Sequence, residues 1–250
     1  MRLRTLVTFA FLFSAPAMAA STFMPENDLH LEDCADCKAT NAMTEDLFGR
    51  IVKAGSDAYA GEASARRERL VVNALWKDAT VNANACRSCK PGEVTINMYG
   101  GLARRAEVLP ESFALVLCHE LGHAYGGTPY IAPSTQMSAE GQADFYSTNA
   151  CFERVFSRVP ELRTTHSTYE PFVEKACGEN RRCKNALAGA KGLGHLLSVL
   201  SREEAPRFET PDPTVVTRTL LSYPDTVQCR LDTYLAGQML KPRPACWFKK

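Results

Sequence analysis

The chain has 250 residues, 45% of them hydrophobic, with 29 Lys and Arg against 28 Asp and Glu. That length and apolar content are ample for a buried core, which excludes a disordered chain. The near-balanced charge leaves no basic footprint, which excludes nucleic acid as the expected partner.

The first residues read as an export signal. Arg2 and Arg4 precede an apolar run from Leu6 to Phe13, and Ala17-Met18-Ala19 is the small-x-small pattern that signal peptidases cut after. The run is shorter than the roughly 20 apolar residues that a membrane span needs. No later stretch is longer and equally apolar, so no transmembrane segment is expected in the mature chain. The other reading of this segment is a buried N-terminal helix. Removing residues 1–19 takes two arginines and no acid, leaving 27 basic residues against 28 acidic ones. The remaining 231 residues suit one domain, exported to the periplasm or the extracellular space, with the oligomeric state open.

All ten cysteines lie in that mature part: Cys34, Cys37, Cys86, Cys89, Cys118, Cys151, Cys177, Cys183, Cys229 and Cys246. An even number in an oxidising compartment is read as disulfides, with Cys177–Cys183 the expected local pair. Cys34-Ala-Asp-Cys37 and Cys86-Arg-Ser-Cys89 also have the outline of a four-cysteine zinc site, for which oxidation competes.

Residues 20–41 are polar and irregular. Helices are expected over about 44–53 and 63–75, the second because Leu70, Val71, Ala74 and Leu75 share a side. Residues 77–92 read as a loop pinned by disulfides. Glu93 to Tyr99 alternates and is rich in strand formers, so a β-strand is expected, ended by Gly100-Gly101. Pro110 opens a helix whose apolar face holds Phe113, Val116, Leu117 and Leu121, and Gly126-Gly127 stops it. A proline-containing loop over 128–137 leads to a second helix over about 138–159. Further helices are expected at 171–178, 183–200 and 225–240, with a proline-rich turn at 205–213. The balance is α+β, mainly helical with a small sheet.

The chemistry is concentrated in His119-Glu120-Leu121-Gly122-His123. Histidines four apart on a helix lie about 40° apart around the axis and about 6 Å apart along it, so both imidazoles face one ion. Zinc lowers the pKa of a bound water to about 7, and Glu120 is placed to accept its proton. This is the HExxH pattern of zinc peptidases. The plainer reading is two histidines on a surface helix, but their apolar neighbours make the pair buried. A catalytic zinc takes three protein ligands and one open position. A histidine continuation, HExxHxxGxxH, fails at Pro129. Glu140, in Glu140-Gly141-Gln142-Ala143-Asp144, supplies the third ligand instead. Asp144, on the same helix face, accepts the free N–H of a ligand histidine. Gly141 inside a helix costs about 1 kcal/mol against alanine and is read as marking a close approach of the two helices at the metal.

HELGH followed by EGQAD resembles the gluzincin metallopeptidases, and most closely the M48-like branch that contains the CAAX-processing and periplasmic chaperone-protease enzymes. The resemblance covers about residues 93–156. It implies a zincin-like fold over residues 20–250, with an edge strand and active-site helices over about 93–159 and a helical C-terminal part over about 170–250. It implies one Zn²⁺ per chain on His119, His123 and Glu140, Glu120 as general base, and a polypeptide substrate added as a strand to an edge at residues 94–102. The His123-to-Glu140 gap is shorter than in that branch, and the ten cysteines depart from it. The branch carries an oxyanion donor in a His-Pro segment followed by arginine. Here Tyr223-Pro224 and Arg230 have that outline, which makes Tyr223 and Arg230 the candidates for transition-state contacts; the other reading is a proline-started helix with a structural arginine. His195 is a second candidate donor, while His30 and His166 lie in polar stretches and carry no argument. The expected activity is zinc-dependent endopeptidase. The alternative is a non-catalytic, zinc- and disulfide-stabilised binding module on a peptidase frame. N-terminal sequencing of the exported protein is expected to start at Ala20; retention of residues 1–19 on folded, exported chain would contradict the signal reading.

Overall fold

The computed structural model describes residues 21–33, 42–87, 89–163 and 166–250. The expected signal peptide, the Ala20 start and the Cys34/Cys37 pair lie outside them. In chain order the elements are β1 (Ser21–Thr22), α1 (Glu45–Ala65), β2 (Arg69–Leu75), β3 (Ala83–Arg87), β4 (Glu93–Tyr99), α2 (Gly100–Ala103) and α3 (Pro110–Tyr125). Then come α4 (Glu140–Tyr146), a π-helical turn (Ser147–Cys151), α5 (Phe152–Phe156), a 3₁₀ turn (Pro160–Arg163), α6 (Pro171–Cys177), α7 (Arg181–Ser201) and α8 (Val227–Gln238). The architecture is α+β, with one small mixed sheet of order β1-β3-β4-β2.

Helix α1 starts where Thr44 accepts the amide of Leu47, with Glu45 and Asp46 in the first turn opposite the helix dipole. It runs twelve residues past the expected end, to Ala65. The helix expected over 63–75 does not form. Arg66 caps α1, Arg67 has φ 59°, and Arg69–Leu75 become strand β2. All seven residues of β2 pair in parallel with β4, so a full ladder outweighs a seven-residue apolar pattern that fits either period. The stretch read as a loop likewise contains β3, antiparallel to β4, with Asn84 and Asn97 hydrogen-bonded across the pair at 2.9 Å. Strand β4 is therefore interior. The edge expected at residues 94–102 is instead formed by β1 and β3 on one side and β2 on the other.

Every residue of α3 is buried. Apart from Glu111, Ser112 and the HELGH polar groups its sequence is apolar all round, and such a helix has to lie inside. Phe113, Leu117 and Leu121 join Phe48 and Ile51 of α1, Ile96 and Met98 of β4, and Leu193 and Leu196 of α7 in one core. Cys118–Cys151 ties α3 to the π-helical turn, and Cys86–Cys89, Cys177–Cys183 and Cys229–Cys246 close local loops. The Cys86–Cys89 bridge removes two thiols from the four-cysteine zinc alternative.

The close approach of the helices that carry His119 and Glu140 is made by Gly122, not Gly141. A Cβ on Gly122 would stand 3.0 Å from both Cα and O of Ala143 in α4, backbone atoms that cannot swing aside. A Cβ on Gly141 would instead strike the indole of Trp247, 2.4 Å away, in the C-terminal segment held by Cys229–Cys246. Gly122→Ala should therefore force α3 and α4 apart and cost about 1–3 kcal/mol, the usual range for overpacking. The urea midpoint of the oxidised protein reads this out, and an unchanged midpoint would refute the contact.

Candidate metal centre

Helix α3 presents His119 and His123 one turn apart, and both are fully buried. Their rings stand at 90° with Nε2 atoms 3.0 Å apart. The protons are placed by outer partners. His119 Nδ1–H donates to the Asp144 carboxylate (2.7 Å), and His123 Nδ1–H donates to the Ser138 carbonyl (2.8 Å). In the neutral rings both Nε2 atoms are then lone pairs, aimed at one point. Glu140, the first residue of α4, adds Oε2 at 3.2 Å from His119 Nε2 and 3.6 Å from His123 Nε2. Three acceptors at such separations repel one another unless they share a cation. A tetrahedral zinc with bonds of about 2.0–2.1 Å sets its donors about 3.3 Å apart, so the group fits a metal ion.

Electrostatics favour the same conclusion. Burial opposes the ionisation of Glu140, but His123 and His119 hold its carboxyl far below the usual range. Burial works against a charged His119 too, and Asp144 with Glu140 outweighs it, raising the imidazole. The cluster thus draws positive charge, as a proton or as a metal. Beside it, burial pushes the Glu120 carboxyl up to about 8, with His123 pulling the other way. Neither carboxylate oxygen of Glu120 has a hydrogen-bond partner among the described residues. An unpaired buried carboxyl is costly, and such groups concentrate where function demands them.

Asp144 lies at the centre of a second, buried cluster. Arg230 of α8 grips it with two hydrogen bonds, Nε to Oδ2 at 2.7 Å and Nη2 to Oδ1 at 2.8 Å, and Tyr234 donates its hydroxyl to Oδ1 at 2.5 Å. Burial lifts the Asp144 carboxyl, and Arg230 first and His119 next overcome it, holding it at about 2.

Of the residues singled out in the sequence, His119, His123, Glu140, Glu120 and Asp144 come together here. Tyr223 lies at the rim. It lines a cavity of about 680 Å³ together with Glu140, Ser21 and Met137. Its hydroxyl donates to the backbone carbonyl of Thr22 at 2.6 Å. Arg230 is not among the residues that line that cavity; it borders a neighbouring one of about 630 Å³, together with Tyr223. Its remaining nitrogen donates to the Phe23 carbonyl at 2.9 Å, so each of the three guanidinium nitrogens has a bond to Asp144 or to the backbone. It positions Asp144, as the structural reading of that arginine has it. His195 is exposed and lines a separate cavity with Ala106 and Tyr169, while His166 pairs with Glu111 and His30 sits in a bridge to Thr80.

Three participants escape sequence reasoning. Tyr234 had a usable signal, since it follows Arg230 by four residues on α8. The Ser138 carbonyl is backbone and has none. Ser21 has none either: its hydroxyl donates to Glu140 Oε1 at 2.7 Å and lies 3.1 Å from His123 Nε2. Comparison of the chain with protein-family models, with curated proteins and with solved structures finds no match.

Replacing Glu140 by Gln exchanges an anionic donor for a neutral amide, and zinc content after dialysis is expected to fall clearly. Asp144→Asn should weaken zinc about 10–100-fold through His119. It should also destabilise the fold by about 3–5 kcal/mol, because Arg230 is left buried without its counter-charge. Parent-like zinc retention by Glu140→Gln, measured by metal analysis, would remove Glu140 from the donor set.

Proposed function

We propose that the chain is an exported, zinc-dependent endopeptidase of gluzincin type, with a zincin-like fold and one zinc per chain. The observation that carries the reading is the buried trio of His119 Nε2, His123 Nε2 and Glu140 Oε2, beside a Glu120 carboxyl with no hydrogen-bond partner among the described residues. A structural zinc is usually closed by four protein side chains and has no use for such a neighbour. Four disulfides fit an oxidising compartment, and no helix among the described residues is long and apolar enough to cross a membrane.

Zinc, when held by His119, His123 and Glu140, supplies a Lewis acid that acidifies water and polarises a carbonyl. The chain's own residues do the rest. Glu120 accepts the proton of the attacking water and passes it to the departing amine nitrogen. Asp144 keeps His119 in the tautomer that leaves Nε2 free, and Arg230 with Tyr234 keeps Asp144 in place. Tyr223 already donates to a main-chain carbonyl at the cavity rim, the contact that a developing oxyanion needs.

Glu120→Gln keeps the shape and leaves the donor trio untouched, so fold and zinc content should persist. Hydrolysis of unfolded casein should fall by about 10⁴-fold, the upper end for general acid–base help, or about 5 kcal/mol of barrier. Equal, chelator-sensitive rates for parent and variant would assign the activity elsewhere. No hydrolysis by the parent across a broad peptide library would favour the binding-module alternative.

A further inference from the structure

Strand β1 is two residues long, yet it reaches the centre of the site. It pairs antiparallel with β3, Ser21 opposite Ala85 and Thr22 opposite Asn84, and so covers the sheet edge nearest the metal donors. Ser21 places its hydroxyl 3.1 Å from His123 Nε2, a separation like the 3.0 Å between the two histidine Nε2 atoms, and donates to Glu140 Oε1, the oxygen beside the donor Oε2, at 2.7 Å. The next residue offers its backbone carbonyl to the Tyr223 hydroxyl. Hollows open on both sides: Ser21 and Thr22 line the cavity of about 680 Å³, Met24 to Leu29 line another of about 630 Å³, and Tyr223 borders both.

These are the contacts that an extended polypeptide makes on strand addition: main-chain pairing to an edge, a carbonyl on a donor, an oxygen at the metal. We propose that β1 is a built-in occupant of the substrate's place, with the Ser21 hydroxyl as the chain's own fourth donor to the metal. The chain then binds an extended polypeptide antiparallel to β3 only when Ser21–Thr22 lifts away. This rests on the metal-centre reading above. Release is local, because Ser21 and Thr22 are only half-buried whereas Phe23 and Met24 behind them are buried. Phe23 sits edge-on to His119, Arg230 holds its carbonyl, and Met24 is bonded to Asn82. A two-residue, half-buried strand is the sort of element that opens sub-globally. The apparent dissociation constant for a competing strand is the intrinsic one divided by the fraction of chains in which β1 is open, so self-occupancy weakens binding.

Two measurements test this separately from hydrolysis. In the first, full-length mature Ser21→Cys is loaded with Co²⁺ as a spectroscopic probe. A thiolate-to-cobalt charge-transfer band, absent from the parent and from Ser21→Ala, is expected. A metal-loaded variant without that band, its introduced thiol shown free by alkylation and mass spectrometry, would overturn Ser21 as a donor. In the second, binding of fluorescently labelled, reduced and alkylated casein is measured on Glu120→Gln chains, which hold polypeptide without cleaving it. Removal of residues through Thr22, and more mildly Ser21→Ala, should tighten binding. For a strand open about 1–10% of the time the gain is about 10- to 100-fold. Unchanged binding in both would overturn the self-occupied cleft. Neither readout requires the parent to hydrolyse peptides, so an inactive parent would count against the peptidase reading alone.

Discussion

A carboxylate shut away from water has to be neutralised by its surroundings, and in this chain that carboxylate is Asp144. It is fully buried, and the groups that compensate it come from α3 and α8: the His119 imidazole, the Arg230 guanidinium and the Tyr234 hydroxyl. Each of these is buried in turn, so none has bulk water as an alternative partner. The charge of Asp144 thus draws three helices to one point. Through Arg230 it also reaches the carbonyl of Phe23, at the root of β1. The tautomer of His119, the direction of its lone pair and the path of the N-terminal segment all follow from one ionised side chain.

Around this polar centre the packing leaves little slack. Gly122 lets α3 lie against the backbone of α4, and Trp247 fills the space over Gly141 on the far side of α4. The indole is itself fully buried and is fastened by Cys229–Cys246 to the helix that carries Arg230. Cys118, the residue before His119, is bridged to Cys151 in the π-helical turn that follows α4. Both faces of the donor cluster are therefore backed by covalent ties, and the site's geometry is set by the scaffold as much as by any ion it holds.

What could be read in advance follows from which interactions are local. The HELGH and EGQAD segments are each a single helical turn, so the spacing of His119 to His123 and of Glu140 to Asp144 is settled by helix geometry alone. The fully apolar surroundings of His119 announce burial equally well. Strand β2 was illegible because Leu70, Val71, Ala74 and Leu75 satisfy a helical period as readily as a strand, and only pairing with β4 decides between them. The role of Gly141 was misassigned for a similar reason, since the residue that crowds it lies 106 positions later in the chain. The pairing of Arg230 with Asp144 has no local signature, because the two lie 86 residues apart in the chain. Ser21 belongs to a polar stretch with no periodicity, and nothing short of the folded sheet brings it to the histidines.

The carbonyl of Ser138 carries a different lesson. It accepts the Nδ1–H of His123, while the Ser138 amide donates back to the His123 carbonyl, so the loop between α3 and α4 is clasped onto the His123 ring by main chain alone. Alanine scanning is blind to that clasp. At position 138 it would register only the loss of the hydroxyl bond to the Gly127 carbonyl and leave the acceptor in place. The ring's orientation is governed by the number of residues between the helices and the route they take. Inserting or deleting a single residue along this stretch would shift the acceptor and turn the imidazole away from His119 and Glu140.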